Sequence, residues 1–176
     1  MRPVRRVIVR AVALALATVV AAPVASAGAT TVLHLDGIGP IRLGMSRTAA
    51  VATGWLANRA PGCELASPRP VTYRFTGRRA PAGLRGTAQF EGGRLTSLSF
   101  TRGVRTAAGV RTRRTTTARM VARYRAAGFL ASARFDRTFQ GTFVRVRRRN
   151  GRQVLGAFAP GRVITSIAIP AVPVCE

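Results

Sequence analysis

The sequence predicts an α+β protein made of two tandem repeats, each a helix followed by an antiparallel meander. Three observations carry that expectation. The segment FEGGRLTSLSF, Phe90 to Phe100, returns as FAPGRVITSIAI, Phe158 to Ile169, with its Phe, Gly-Arg pair, Thr-Ser pair and alternating apolar positions kept. Sliding the chain on itself by 69 residues lays Ile41-Arg42 on Val110-Arg111, Ala49 on Ala118, Val51 on Met120 and Trp55 on Tyr124. Within each unit the apolar spacing changes from helical to alternating, the period of a strand with one buried face. At the hairpin, Phe90, Gly93 and Arg94 meet Phe158, Gly161 and Arg162 at an offset of 68, and Ser97, Leu98 and Phe100 meet Ser166, Ile167 and Ile169 at 69. One single-residue insertion reconciles the two offsets.

The chain opens with MRPVRRVIVRAVALALATVVAAPVASAG, in which Arg2, Arg5, Arg6 and Arg10 precede an apolar run from Ala11 to Val20 and the small residues Ala25-Ser26-Ala27. This pattern reads as a secretory signal peptide over residues 1–27. The apolar run is about half of the roughly 20 residues a membrane span needs, so no transmembrane anchor is expected once the signal is removed. Arg5-Arg6 also loosely resembles a twin-arginine export signal, with Val4 where a Ser or Thr is usual; ordinary export is the simpler reading. The expected location is secreted, extracellular or cell-wall associated.

The first repeat is assigned to residues 28–101 and the second to 102–176. In the first, TTVLHLD offers an edge strand. GMSRTAAVATGWLANRAPG then reads as a helix capped by Ser46, with apolar pairs Val51/Trp55 and Ala52/Leu56 and a stop at Pro61-Gly62. VTYRFTG alternates Val71, Tyr73 and Phe75 with polar residues, and FEGGRL supplies a turn. In the second, RTTTARMVARYRAAGF starts at a Thr cap, pairs Met120 with Tyr124 and ends at Gly128. Asn150-Gly151 is a strong hairpin signal; a two-residue turn there sets Arg149 opposite Arg152 and Val146 opposite Leu155. Each unit is thus expected to be a helix and three strands.

The order GIGPIRLGM, helix, then strands ending in GRLTSLSF, occurring twice, resembles the secreted β-lactamase-inhibitor proteins of actinobacteria and the related small outer-membrane assembly lipoproteins. The resemblance covers about residues 31–170. It implies one long curved antiparallel sheet with helices on one face and protein binding on the other. Two departures stand out: the inhibitors close a disulfide inside each unit whereas this chain has one Cys in each, and the lipid-attachment Cys of the lipoproteins is absent. No inhibitory loop residue can be aligned.

Charge is the strongest functional signal. The chain has 29 basic residues, every one an arginine; four lie in the signal and five residues are acidic, leaving +20 on the remainder. From Arg102 onward 16 arginines face only Asp136 and Glu176, a balance of +14, against +6 for residues 28–101. Such a chain must repel itself or find an anionic neighbour. Arg145, Arg147 and Arg149 alternate along one strand face, Arg148 and Arg152 flank the Asn-Gly turn, and Arg119 and Arg123 stand one helical turn apart. These seven arginines are the expected polyanion-binding residues, though an Arg-rich solvated face would carry the same pattern.

Other chemistry finds poor material. His34 and Asp36 share a strand side, but no nucleophile motif accompanies them. Five scattered carboxylates do not make an acid-base pair. Two cysteines and one histidine are too few for a metal site, and no cofactor is expected. The aromatic residues follow the apolar parity of their elements, as core residues do, so specific nucleic-acid stacking is not expected. In an exported chain the default for Cys63 and Cys175 is a disulfide, with free or intermolecular thiols the alternative. The resulting expectation is a monomeric, secreted, non-enzymatic binding protein with a basic face for an anionic cell-wall polymer or an acidic protein. The alternative is an inhibitor of a secreted or envelope enzyme.

Overall fold

The computed structural model describes residues 30–64 and 69–174. Three short strands come first: β1 (Thr31–Leu33), β2 (Gly37–Ile38) and β3 (Ile41–Arg42). Helix α1 (Arg47–Ala52) follows, then strands β4 (Ala57–Pro61), β5 (Val71–Arg74), β6 (Arg85–Glu91) and β7 (Arg94–Arg102). Strand β8 (Val104–Thr106) leads to helix α2 (Thr117–Ala126) and to β9 (Leu130–Asp136), β10 (Gly141–Arg147), β11 (Gln153–Ala159) and β12 (Ser166–Ile169). The strands form a four-stranded sheet, β3-β2-β1-β8, and an eight-stranded sheet, β4-β5-β6-β7-β12-β11-β10-β9. Strands β1 and β8 are parallel, and every neighbouring pair in the large sheet is antiparallel.

This corrects the expected fold class. The protein is mostly β, 45% strand against 11% helix, with two sheets rather than one curved sheet under a helical layer. The first helix shows why. It stops after six residues because Thr53 Oγ1 donates to the Ala50 carbonyl and Gly54 turns left-handed at φ +75°, a conformation other residues adopt only at a cost. Residues 57–61, read from sequence as the helix's continuation, are strand β4. Each half of the large sheet therefore contributes four strands, where three were expected.

The two halves nevertheless make matching local bonds. Ser46 Oγ accepts from the Ala49 N–H at 3.2 Å and Thr116 Oγ1 from the Arg119 N–H at 3.3 Å, each capping its helix. Ser46 bridges Arg94 and Thr116 bridges Val163. The Gly44 N–H donates to the Leu95 carbonyl, and the Arg113 N–H to that of Ile164. Inside the helices the correspondence runs at 70 rather than 69, so that Ala50 and Met120, both fully buried, are equivalent. Trp55 lies beyond α1, whereas Tyr124 lies within α2.

The hairpins follow their turn chemistry. Gly92 and Gly93, at φ +54° and +75°, make the two-residue turn that sets Glu91 opposite Arg94. At the other predicted turn Val146 does face Leu155, but the register then slips and Arg147 faces Gln153. Arg148 N–H donates to the Arg152 carbonyl and Gly151 N–H to that of Arg148, so the loop is three residues, 149–151, with Gly151 left-handed at φ +82°. Arg149 thus sits in the turn and not opposite Arg152.

Both sheets and both helices feed one core. Leu33, Ile38, Ile41 and Val104 of the small sheet join Phe75, Leu98, Phe100, Val144 and Ile167 of the large-sheet region, and Met120 and Tyr124 of α2 close over it. Phe75 and Phe100 pack at 4.9 Å between ring centres, with Trp55 edge-on to Phe75 at 6.5 Å. Gly86, opposite Phe100, leaves room for that ring: a side chain there would stand 2.5 Å from Phe100 Cδ1. Among the described residues no helix is long and apolar enough to cross a membrane. The segment assigned to the signal, residues 1–27, and Cys175 lie outside the described residues. Cys63, just past β4, is disulfide-bonded.

Candidate anion-binding face

Strand β10 alternates cleanly. Val144 and Val146 are buried, while Arg145 and Arg147 project from the opposite face of the sheet, exposed. Ser132 and Leu130 of β9 stand directly opposite these two arginines, and Arg134 stands opposite Phe143. Residues 130, 132 and 134 therefore share the face of Arg145 and Arg147. Arg125, from the last turn of α2, reaches the same place, its Nε donating to the Ala131 carbonyl at 2.9 Å.

The result is a groove whose rim is Arg125, Arg134, Arg145 and Arg147 and whose floor is Phe129, Leu130 and Phe143. Leu130, the first residue of β9, is 54% exposed. Among the described residues no carboxylate lines the groove. Asp136 stands nearby in the adjoining cleft, but its Oδ1 already accepts from the backbone N–H groups of Thr138 and Phe139. On the other side the chain after β12 crosses the sheet: Gln153 Nε2 donates to the Pro170 carbonyl, and Val172 N comes within 2.9 Å of where a Cβ on Gly156 would lie.

The structure divides the seven arginines expected from sequence. Arg145 and Arg147 form the groove. Arg148, Arg149 and Arg152 are exposed around the β10–β11 loop, where they extend the charge without continuing the strand's row. Arg119 and Arg123 lie on α2 and line a different basin, with Arg105, Arg111 and Arg114. Sequence reasoning missed Arg125 and Arg134. The second was within reach, because Leu130, Ser132 and Arg134 alternate with Ala131, Ala133 and Phe135 between Gly128 and Asp136, a strand pattern.

The rest of the molecule offers less. His34 is exposed, and Asp36 faces Arg42 at 3.7 Å, the only ion pair within 4 Å among the described residues. Among those residues no three His, Cys, Asp or Glu side chains gather as a metal site would require. The aromatic side chains Phe75, Phe90, Phe100 and Tyr124 are buried, as core residues. Comparison with protein-family models, curated proteins and solved structures returns no match.

Proposed function

We propose that this chain is a secreted, non-enzymatic binding protein, acting as a monomer, whose basic face takes an anionic polymer of the cell envelope. One observation carries the reading: four guanidinium groups surround a groove that no carboxylate of the described residues lines. Each arginine can grip an oxyanion with two hydrogen bonds, and each such contact on a linear polyanion releases condensed counterions. The apolar floor accepts the hydrocarbon part of a repeating unit or an acidic peptide's side chain.

The test is retention of the full protein on isolated cell walls at low and high salt. Retention at low salt that is lost at high salt is the expected result. No retention at low salt, or retention indifferent to salt, overturns the reading.

A second reading, an inhibitor of a secreted or envelope enzyme, draws on the middle of the same face. There Thr87 pairs with Ser99 and Gln89 with Ser97. Polar side chains on these two neighbouring strands make a surface that another protein could approach. A one-to-one, salt-tolerant complex with a single enzyme is the result that would favour it.

A further inference from the structure

We propose that Arg105, Arg111, Arg114, Arg119 and Arg123 form a separate site for a compact, multiply charged oxyanion, a diphosphate group. These five arginines line one open basin of about 590 Å³ between the start of α2 and the turn that follows β8. Three features bring them together. Arg105 and Arg111 are antiparallel bridge partners, which sets the two residues side by side. Arg113 adopts a left-handed φ of +60°, uncommon for a residue other than glycine, and that turn lets Arg111 and Arg114 both reach the basin. Arg119 and Arg123 are one helical turn apart on α2.

Among the described residues no Asp or Glu lines the basin, and of the five side chains Arg123 is the one tied to them, donating through Nη1 to the Gly109 carbonyl. The corresponding place before α1 makes the contrast. There Arg42, the counterpart of Arg111, faces Asp36 and donates to the Gly39 carbonyl, while Ala49 and Thr53 stand where α2 carries Arg119 and Arg123. Among the described residues, one arginine is thus paired in the first half and five gather without a counterion in the second. Bringing like charges together costs free energy in the unliganded protein, and a bound anion removes that cost. A monophosphate cannot engage five guanidiniums bidentately, whereas a diphosphate offers oxygens on two phosphorus centres. The site lies apart from the groove of β9 and β10, so the wall-binding reading can fail while this one stands.

The experiment is calorimetric titration of the full protein with inorganic pyrophosphate, alongside a short-chain prenyl diphosphate. Saturable binding of the free ion assigns the site to soluble diphosphate, and binding of the ester alone assigns it to an esterified one; absence of both overturns the proposal. The double variant Arg111→Gln/Arg119→Gln should weaken binding by more than about tenfold, the loss of charge-assisted hydrogen bonds. Arg59→Gln/Arg74→Gln, which removes the same charge from exposed positions outside both sites, should leave it unchanged. Equal losses in the two variants would mean diffuse attraction to net charge and would overturn the site. Arg111→Lys/Arg119→Lys keeps the charge but loses the forked geometry, so it should fall between wild type and the Gln variant. Folding is read independently by thermal melts: pyrophosphate should raise the wild-type melting temperature and leave that of the Gln variant in place.

Discussion

Replacing Arg134, Arg145 and Arg147 together by Gln removes three of the four guanidiniums from the groove while leaving the chain's fold to its buried residues. Arg145 and Arg147 are two residues apart on one strand, about 7 Å, and Arg134 lies diagonally across from Arg145 at about 7–8 Å, so the three reach neighbouring charges of a linear polymer. Each phosphate contact contributes about 0.7–0.9 to the slope of log affinity against log salt, so the variant's slope should flatten by about 2–3. For a fourfold rise in salt, that is roughly a 30-fold smaller loss of affinity than in the wild type. The stability cost should stay under about 0.5 kcal/mol per exposed site. Titration with long-chain polyphosphate over a salt series measures the slope. The matched control is Arg148→Gln/Arg149→Gln/Arg152→Gln, which removes the same charge from the β10–β11 loop. Equal flattening in the two triple variants, or none in the first, would refute the groove as the seat of contact.

Three further outcomes follow from the packing. Gly86→Ala would push a Cβ to 2.3 Å from the Ser99 carbonyl oxygen and 2.5 Å from the Phe100 ring, costing about 2 kcal/mol; Phe100→Leu alone costs about 1–2, and urea unfolding of the double variant should show at least about 0.5 kcal/mol less than the sum. Additive costs would show that the Ser99 carbonyl, not the ring, sets the limit at Gly86. Burial raises the Tyr124 hydroxyl's pKa above the ordinary 10.0, with the Thr106 hydrogen bond pulling the other way. A raised folded-state pKa gives a contribution fully present below pH 10 and lost as pH rises through the folded value, so Tyr124→Phe should flatten the fall in stability above pH 10. The chain has no lysine to titrate in that window, and arginine stays charged through it. Finally, the non-reduced protein should be two hydrogens lighter than its reduced form, with Cys63 joined to Cys175; Cys63→Ser and Cys175→Ser should each lose roughly 4–5 kcal/mol by the chain-entropy account.

What could be read from sequence was local. The Thr116 cap, the Gly128 left-handed end of α2 and the alternation of Val71, Tyr73 and Phe75 each depend on residues within a few positions of one another. Strand β4 was misread because Trp55 and Leu56 fall four residues after Val51 and Ala52, a helical spacing; Gly54 breaks the helix between them, and the two side chains meet the core from the loop instead. The loop at 149–151 was read one residue short, because Asn-Gly serves a two-residue turn and a bulged three-residue loop equally well. The candidate sites were half visible. Arg145 and Arg147 announce themselves by parity, but Arg125 joins them from a helix, and Arg105 and Arg111 come together only through the turn between them.

The parallel pairing of β1 with β8 bears on the order in which the molecule assembles. Thr31 lies beside Val104, with β2 to β7 between them in the chain. Strand β1 has no partner on that side until the whole first half of the large sheet has been laid down, and the loop it closes is among the longest in the protein. Closure entropy makes such a contact slow compared with the β6–β7 hairpin, which needs only two glycines to turn. We therefore expect β1 to act as a latch set last, its amides gaining protection in pulsed hydrogen exchange after those of β6 and β7. Protection of β1 in step with the hairpin would show instead that the small sheet nucleates the fold.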